Sequence, residues 1–201
     1  DFARVRALES GGFQWISRVP LGLVDVIDGQ PALKTALTPP GGFQWFLSFN
    51  TGRGAPFDDP RFRQALVWAL DPTLINELAL FGKARKAEGQ AINAELTDIV
   101  PNLELTNPYT LQPNLNRARD LLRQVGVPNG FSMDTWIAAG EANVLRATEI
   151  YQQSLAELGL NLRINQAQTA ERFSHIFGAG ADFGIQLEPI SGFHDHDQGL
   201  A

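Results

Sequence analysis

At 201 residues and 44% hydrophobic side chains, the chain can bury a substantial core, as one large domain or two small ones. Sixteen Lys and Arg against 22 Asp and Glu leave a net charge of −6, which argues against nucleic acid or an anionic membrane surface as the main partner. There is no cysteine, so thiolate catalysis, Cys-ligated zinc and a disulfide framework are excluded, and export and cytosol stay equally open.

The opening DFARVRALESGG lacks the basic start and apolar centre of a signal peptide, and no window approaches the roughly 18 apolar residues of a membrane span. The chain begins with Asp1 and closes on DHDQGLA, so a fragment of a longer precursor is expected. GGFQW occurs at residues 11–15 and again at 41–45, an echo too brief for a solenoid and read as two similar strand starts. In the second copy Phe43, Trp45, Leu47 and Phe49 alternate with Gln44, Ser48 and Asn50, which predicts a half-buried strand. Asp59 and Pro60 then open a helix with Phe62, Ala65, Leu66, Ala69 and Leu70 on one face, and Asp71 and Pro72 open another that Gly82 stops. Between Lys83 and Pro113 the residues show no sustained period, and a long surface excursion is expected.

From Asn116 the pattern hardens. Ala118, Leu121, Leu122 and Val125 make a helical face ended by Gly126, a strand is expected over residues 131–138, a helix over 141–158, and a strand from Leu160 through Ile164. Strand, helix and strand with short links read as a parallel βαβ crossover and place the chain in the α/β class. Thr169 is expected to cap a short helix carrying Phe173, His175, Ile176 and Phe177, and an apolar strand near Phe183–Leu187 to join the same sheet.

FNTGRGAPFDDPRFRQALVWALD, residues 49–71, resembles a segment of the solute-binding proteins of peptide and nickel ABC importers, solute-binding family 5. ALESG with VDVIDGQPA, RARDLLRQVGVPNGF, LAELGLNLRI and GAGADFGIQL resemble further family segments in the family's order. The resemblance implies a periplasmic-binding-protein-like lobe with a mixed, mostly parallel sheet flanked by helices. It implies a crossover from a first lobe over residues 1–45 and a second lobe over 46–201, incomplete at its C-terminal end, with the first lobe and the chain's return to it missing. The family departs from this chain at GFQWISRVPLGL, which reads as an insertion within residues 12–23.

What the resemblance implies functionally is a non-enzymatic, exported module, periplasmic or at the cell surface, with a lipid anchor left open. It would capture oligopeptides or similar small solutes between two lobes and pass them to the membrane subunits of an ABC importer, without a cofactor. In peptide-binding members an Asp beyond a Tyr-Asp position and a Trp pairs with the peptide's amino end. Asp182 matches the first of these positions, while LEPISG, with Glu188, stands where the Trp is expected; Asp195 or Asp197 could then supply the carboxylate only if the loop is longer. Trp68 falls off the apolar stripe of its helix and is the aromatic candidate for the cleft. The cluster His194, Asp195, His196, Asp197 supports an alternative, a metal-binding domain or small metal-dependent enzyme, because imidazoles and carboxylates together suit divalent ions. A third reading is an α/β interaction domain with no small ligand. His175 is expected to be an exposed or half-buried helix residue.

Overall fold

The computed structural model describes residues 2–17, 19–36, 43–84, 112–178 and 180–191. The N-terminal part holds helix α1 (Phe2–Glu9), a single 3-10 turn (Leu21–Leu23) and helix α2 (Val24–Asp28). The first GGFQW copy does not start a strand. The amides of Gly12 and Phe13 both donate to the Ala7 carbonyl, at 2.7 and 3.2 Å, which wraps the chain back onto α1 and leaves Phe13 and Trp15 exposed. This segment is tied to the rest by the Lys83–Asp25 ion pair at 2.6 Å and by the Phe81 ring, which packs so closely on Gly22 that a Cβ there would lie 2.9 Å from it.

The second copy leads into strand β1 (Phe43–Phe49), followed by a 3-10 turn (Thr51–Arg53) and helices α3 (Pro60–Trp68) and α4 (Pro72–Ala79). Both helices are set by the expected devices: the Asp59 carboxylate accepts from the Arg61 amide and that of Asp71 from the Leu74 amide, with proline at the first helical position each time. The excursion expected from Lys83 to Pro113 falls almost wholly on residues 85–111, outside the described ones.

Helix α5 (Leu115–Val125) is capped by Asn114 and closed by Gly126 in the left-handed region, φ 79°, where a side chain would be strained. Strand β2 (Phe131–Ala138), helix α6 (Ala142–Glu157) and strand β3 (Leu160–Ala167) form the expected crossover, with β2 and β3 parallel from Phe131↔Leu160 to Ala138↔Ala167. Helix α7 (Thr169–Ile176) follows; Thr169 is its first helical residue and not its cap, since Gln168 occupies the cap position and makes no side-chain bond.

The last described strand, β4 (Ile185–Ser191), pairs antiparallel with β1 from Phe49↔Ile185 to Phe43↔Ser191 rather than in register with the β2–β3 pair. Among the described residues, only the Gly184 amide, donating to the Asp134 carbonyl at 2.7 Å, continues it onto β2 through the main chain. A Cβ on Gly184 would sit 2.9 Å from both Met133 and the Phe57 ring, so the approach of these strands requires glycine. The mixed α/β arrangement thus combines one parallel and one antiparallel pairing among the described residues.

The core lies between the helices and one face of these strands. Phe62, Leu66, Met133, Tyr151, Leu155, Leu162 and Ile185 are essentially removed from water. Phe57, Phe62 and Phe131 meet at centroid separations of 5.3 to 6.0 Å, two of the three contacts edge-on. Tyr151 donates its hydroxyl to the Leu66 carbonyl at 2.7 Å, joining α6 to α3.

Candidate functional site

The alternation of β2 turns Met133, Thr135 and Ile137 toward the core and Asp134 and Trp136 to the opposite face. On that second face the strands carry polar pairs. Arg163, opposite Asp134 across the parallel ladder, donates through Nε and Nη2 to the two Asp134 oxygens at 2.9 and 2.6 Å, and Asn165 Nδ2 adds a bond at 3.1 Å. This forked guanidinium holds the Asp134 carboxyl below the usual carboxylate range, with the Asn165 bond contributing and partial burial opposing.

Helix α7 brings two groups to the same face. Arg172 is only 8% exposed; its Nε donates to the Trp136 carbonyl at 2.8 Å and its Nη2 pairs with the half-buried Glu188 of β4. One helical turn on, the His175 ring lies flat against the Trp136 indole, centroids 3.5 Å apart and planes 7° from parallel. His175 Nδ1 is 3.0 and 3.1 Å from the two Asp182 carboxylate oxygens, and the Asp182 amide donates to the His175 carbonyl at 3.1 Å.

The seam between β2 and β4 is closed by a side chain acting as main chain. With its amide oriented to satisfy both ends, Gln186 accepts from the Trp136 N–H at 3.1 Å and donates to the Trp136 carbonyl at 3.0 Å and to Thr135 Oγ1 at 3.2 Å. This is why β4 needs no main-chain ladder with β2. The Trp136 indole N–H is buried and has no acceptor among the described residues, which costs free energy.

The approach to β4 is fastened from the β1 side as well. Asn50 Nδ2 donates to the Ala181 and Phe183 carbonyls at 3.3 and 3.1 Å, the Asn50 amide donates to the Gly184 carbonyl at 3.1 Å, and the Arg53 guanidinium donates to the Asp182 carbonyl. Four elements therefore converge on residues 181–184.

Of the residues singled out from the sequence, Glu188 stands in this cluster as the partner of Arg172. Trp68 belongs elsewhere: it is half-buried on α3, the Arg117 guanidinium lies 5.9 Å from its ring centre, and its carbonyl accepts from the Asn114 amide at 2.7 Å. His194, Asp195, His196 and Asp197 lie outside the described residues. Among the described residues no group of three or more His, Asp or Glu is placed to hold a metal ion. Sequence reasoning left out Arg172 and the His175–Asp182 pairing. The signal available was the i, i+3 spacing of Arg172 and His175, which puts both on one side of α7. A groove of about 310 Å³ near Pro56, Asp58, Val127, Pro128 and Phe131 is open to solvent and lies apart from this cluster.

This α/β lobe, whose first and last described strands run side by side, shares its fold with solved periplasmic binding proteins. The overlap is close with AgaA from A. tumefaciens R10, solved in complex with agropinic acid: TM-score 0.79, 25% identity, 98% of this chain and 38% of that one. DppA from Helicobacter pylori, solved with the peptide STSA, shares the fold at TM-score 0.78 and 23% identity over 98% of this chain and 36% of that one. NikA from Staphylococcus aureus with Ni(L-His)2 does so at 0.68 and 17%, over 94% and 38%.

The chain belongs to the bacterial extracellular solute-binding proteins, family 5, whose middle-region model matches residues 1–193. It is 26% identical over 185 residues to the glutathione-binding protein GsiB of Pectobacterium atrosepticum and 25% identical over 186 residues to that of Escherichia coli K12. Both alignments cover 92% of this chain but 34% of the relative, so the chain spans about a third of the length of the curated relatives it matches.

Proposed function

We propose that this chain holds most of the second lobe, residues 46–201, incomplete at its C-terminal end, with its crossover from a first lobe, residues 1–45, of an exported solute-binding protein that serves an ABC importer. It would act in the periplasm or at the cell surface. Its part is capture, not catalysis: a small peptide or peptide-like solute held between two lobes and released to the membrane subunits. The observation that carries this reading is the family match over residues 1–193. The strand pairing supports the two-lobe arrangement, because Phe43 at the start of β1 and Ser191 at the described end of β4 lie side by side. A lobe tethered at one end by two adjacent strands is suited to hinge motion, and solute contacts divided between two half-sites favour the closed state through their differential affinity.

On this reading the polar face with Arg172, Glu188 and Trp136 contributes to the cleft, and Asp195 or Asp197 supplies a carboxylate to an amino group of the cargo. Trp68, packed against α5, is the weaker aromatic candidate. The metal-domain alternative built on His194 and His196 receives no support from the family match. Calorimetry decides the main point: the full-length protein should bind glutathione or a member of a di- to tetrapeptide panel at micromolar or better dissociation constants, roughly −8 kcal/mol or more favourable. The isolated 201-residue chain should bind none of them at that strength. Micromolar binding by the isolated chain, or none by the full-length protein, would defeat the split-site reading.

A further inference from the structure

We infer that His175 is a positioning residue for the solute site: by bridging Trp136 on β2 and Asp182 ahead of β4, it sets the path of the chain into β4 and hence the placement of Glu188. The inference rests on the proposed solute-capture function, but its physical part stands independently of any ligand.

The chain leading into β4 is fastened closely only from Ala181 onward, by Asn50 and Arg53, and is rich in glycine before that. It contains Gly178, Gly180 and Gly184, and Gly178 is in the left-handed region at φ 87°. Such a sequence restricts its own conformation poorly, so its course must be imposed from outside. His175 imposes it twice. Its carbonyl accepts the Asp182 amide at 3.1 Å, and its Nδ1 faces both Asp182 oxygens, so residues 175 and 182 close a loop through main chain and side chain together. The ring cannot swing freely, because its face is stacked on Trp136 at 3.5 Å. Trp136 is itself fixed at its main chain by Arg172 and Gln186. The charged and polar groups around this contact come from each neighbouring element: Asp182 from the loop, Arg172 from α7, Glu188 from β4, and Arg53 and Asn50 beyond β1.

Two residues past Asp182 the chain passes Gly184, where contact with Met133 and Phe57 leaves no room for adjustment, and four residues later it reaches Glu188. Asp182 stands three residues before the first residue of β4, so His175 acts on the chain where it enters that strand. The stack and the carboxylate contact are separable chemically. His175→Asn keeps an N–H donor near the Nδ1 position and loses the stack; His175→Phe keeps the stack and loses the donor; His175→Ala loses both.

The test uses the full-length protein and amide hydrogen exchange. His175→Ala is expected to speed exchange across residues 181–187 by about tenfold while β3, residues 160–167, is unchanged, with Asn and Phe intermediate. With reduced glutathione as probe, the dissociation constant should rise about fivefold in the Ala variant and be partly restored in the Asn variant. A purely structural role would lower the melting temperature in proportion and leave no such restoration. Unchanged exchange at residues 181–187 in both the Ala and Asn variants overturns the inference, as does faster exchange with unaltered glutathione affinity. A wild-type protein that binds neither glutathione nor any peptide of the panel defeats the solute-capture reading instead, and the exchange comparison then still decides whether His175 directs β4.

Discussion

The two faces of strand β2 follow different rules. Met133, Thr135 and Ile137 turn into a core whose members are specified mostly by size and apolarity, while Asp134 and Trp136 turn to a face where each residue has a particular partner. On the core side the partners are interchangeable within limits, since burial is roughly proportional to area and packing density. On the polar side they are not, because Arg172 or Asp134 without its counterpart leaves a poorly solvated charge. The first face holds the lobe together, and the second gives it a surface on which recognition can be built.

Replacing a central aromatic on the apolar side should have the greatest effect. Phe62 is fully buried and touches Phe57 and Phe131, so Phe62→Ala is expected to cost about 3–5 kcal/mol in the denaturant midpoint, the range for aromatic truncation in a packed core. A loss below about 1 kcal/mol would mean that the helix α3 face is less firmly packed than its burial indicates. On the polar side, Arg172→Met removes the partner of Glu188 and the donor to the Trp136 carbonyl. The expected loss is about 3 kcal/mol, at the low end for breaking a buried pair because Glu188 keeps some access to water. The comparison sharpens with Arg172→Met combined with Glu188→Leu, which removes both charges and should recover most of the loss. Failure to recover would show that the Trp136 carbonyl contact, rather than the ion pair, dominates.

This contrast also explains how much of the molecule was legible in its sequence. Helices α3, α4 and α5 declare themselves because their signals are local: Asp59-Pro60, Asp71-Pro72, and Asn114 with Gly126 bracket apolar residues at helical spacing. The β2–α6–β3 crossover was equally legible, since the period changes from two to 3.6 and back. The first GGFQW copy misled because identical pentapeptides took different fates: one continues an alternating apolar run into β1, the other is bent back by the Ala7 carbonyl. The polar cluster was largely hidden. Arg172 lies 36 residues from Trp136 and 16 from Glu188, and nothing local distinguishes a buried arginine on a short helix from a solvated one. The junction of β4 with β2 rests on Gln186 reaching the main chain of β2 with its side chain, which has no sequence signature.

Between these extremes stands Tyr151, an apolar-face residue with one specific bond. Tyr151→Phe keeps the ring and its packing and removes the donor to the Leu66 carbonyl, an expected cost of about 1–2 kcal/mol by thermal or urea unfolding. Burial already pushes this hydroxyl well above its ordinary range, so it stays protonated and the difference between the two proteins should not vary with pH between about 5 and 9.

Asp134→Asn should have the least effect, and it tests the polar face through pH. The folded-state pKa of Asp134 is depressed, so the unfolded chain takes up a proton more readily as pH falls. Its contribution is therefore fully present above the ordinary aspartate range near 4 and disappears as pH drops through the lower folded-state value. At pH 7 the Asn variant should be slightly less stable than wild type, by less than the Tyr151 substitution costs, because Arg163 is more than half exposed and solvent screens the pair. As the pH is lowered from about 5 toward 2 the two urea midpoints should converge. A gap that stays constant through this range would assign the stabilisation to the neutral hydrogen bonds from Asn165 rather than to the Arg163 fork, and would weaken the contrast between a face held by charge and a face held by shape.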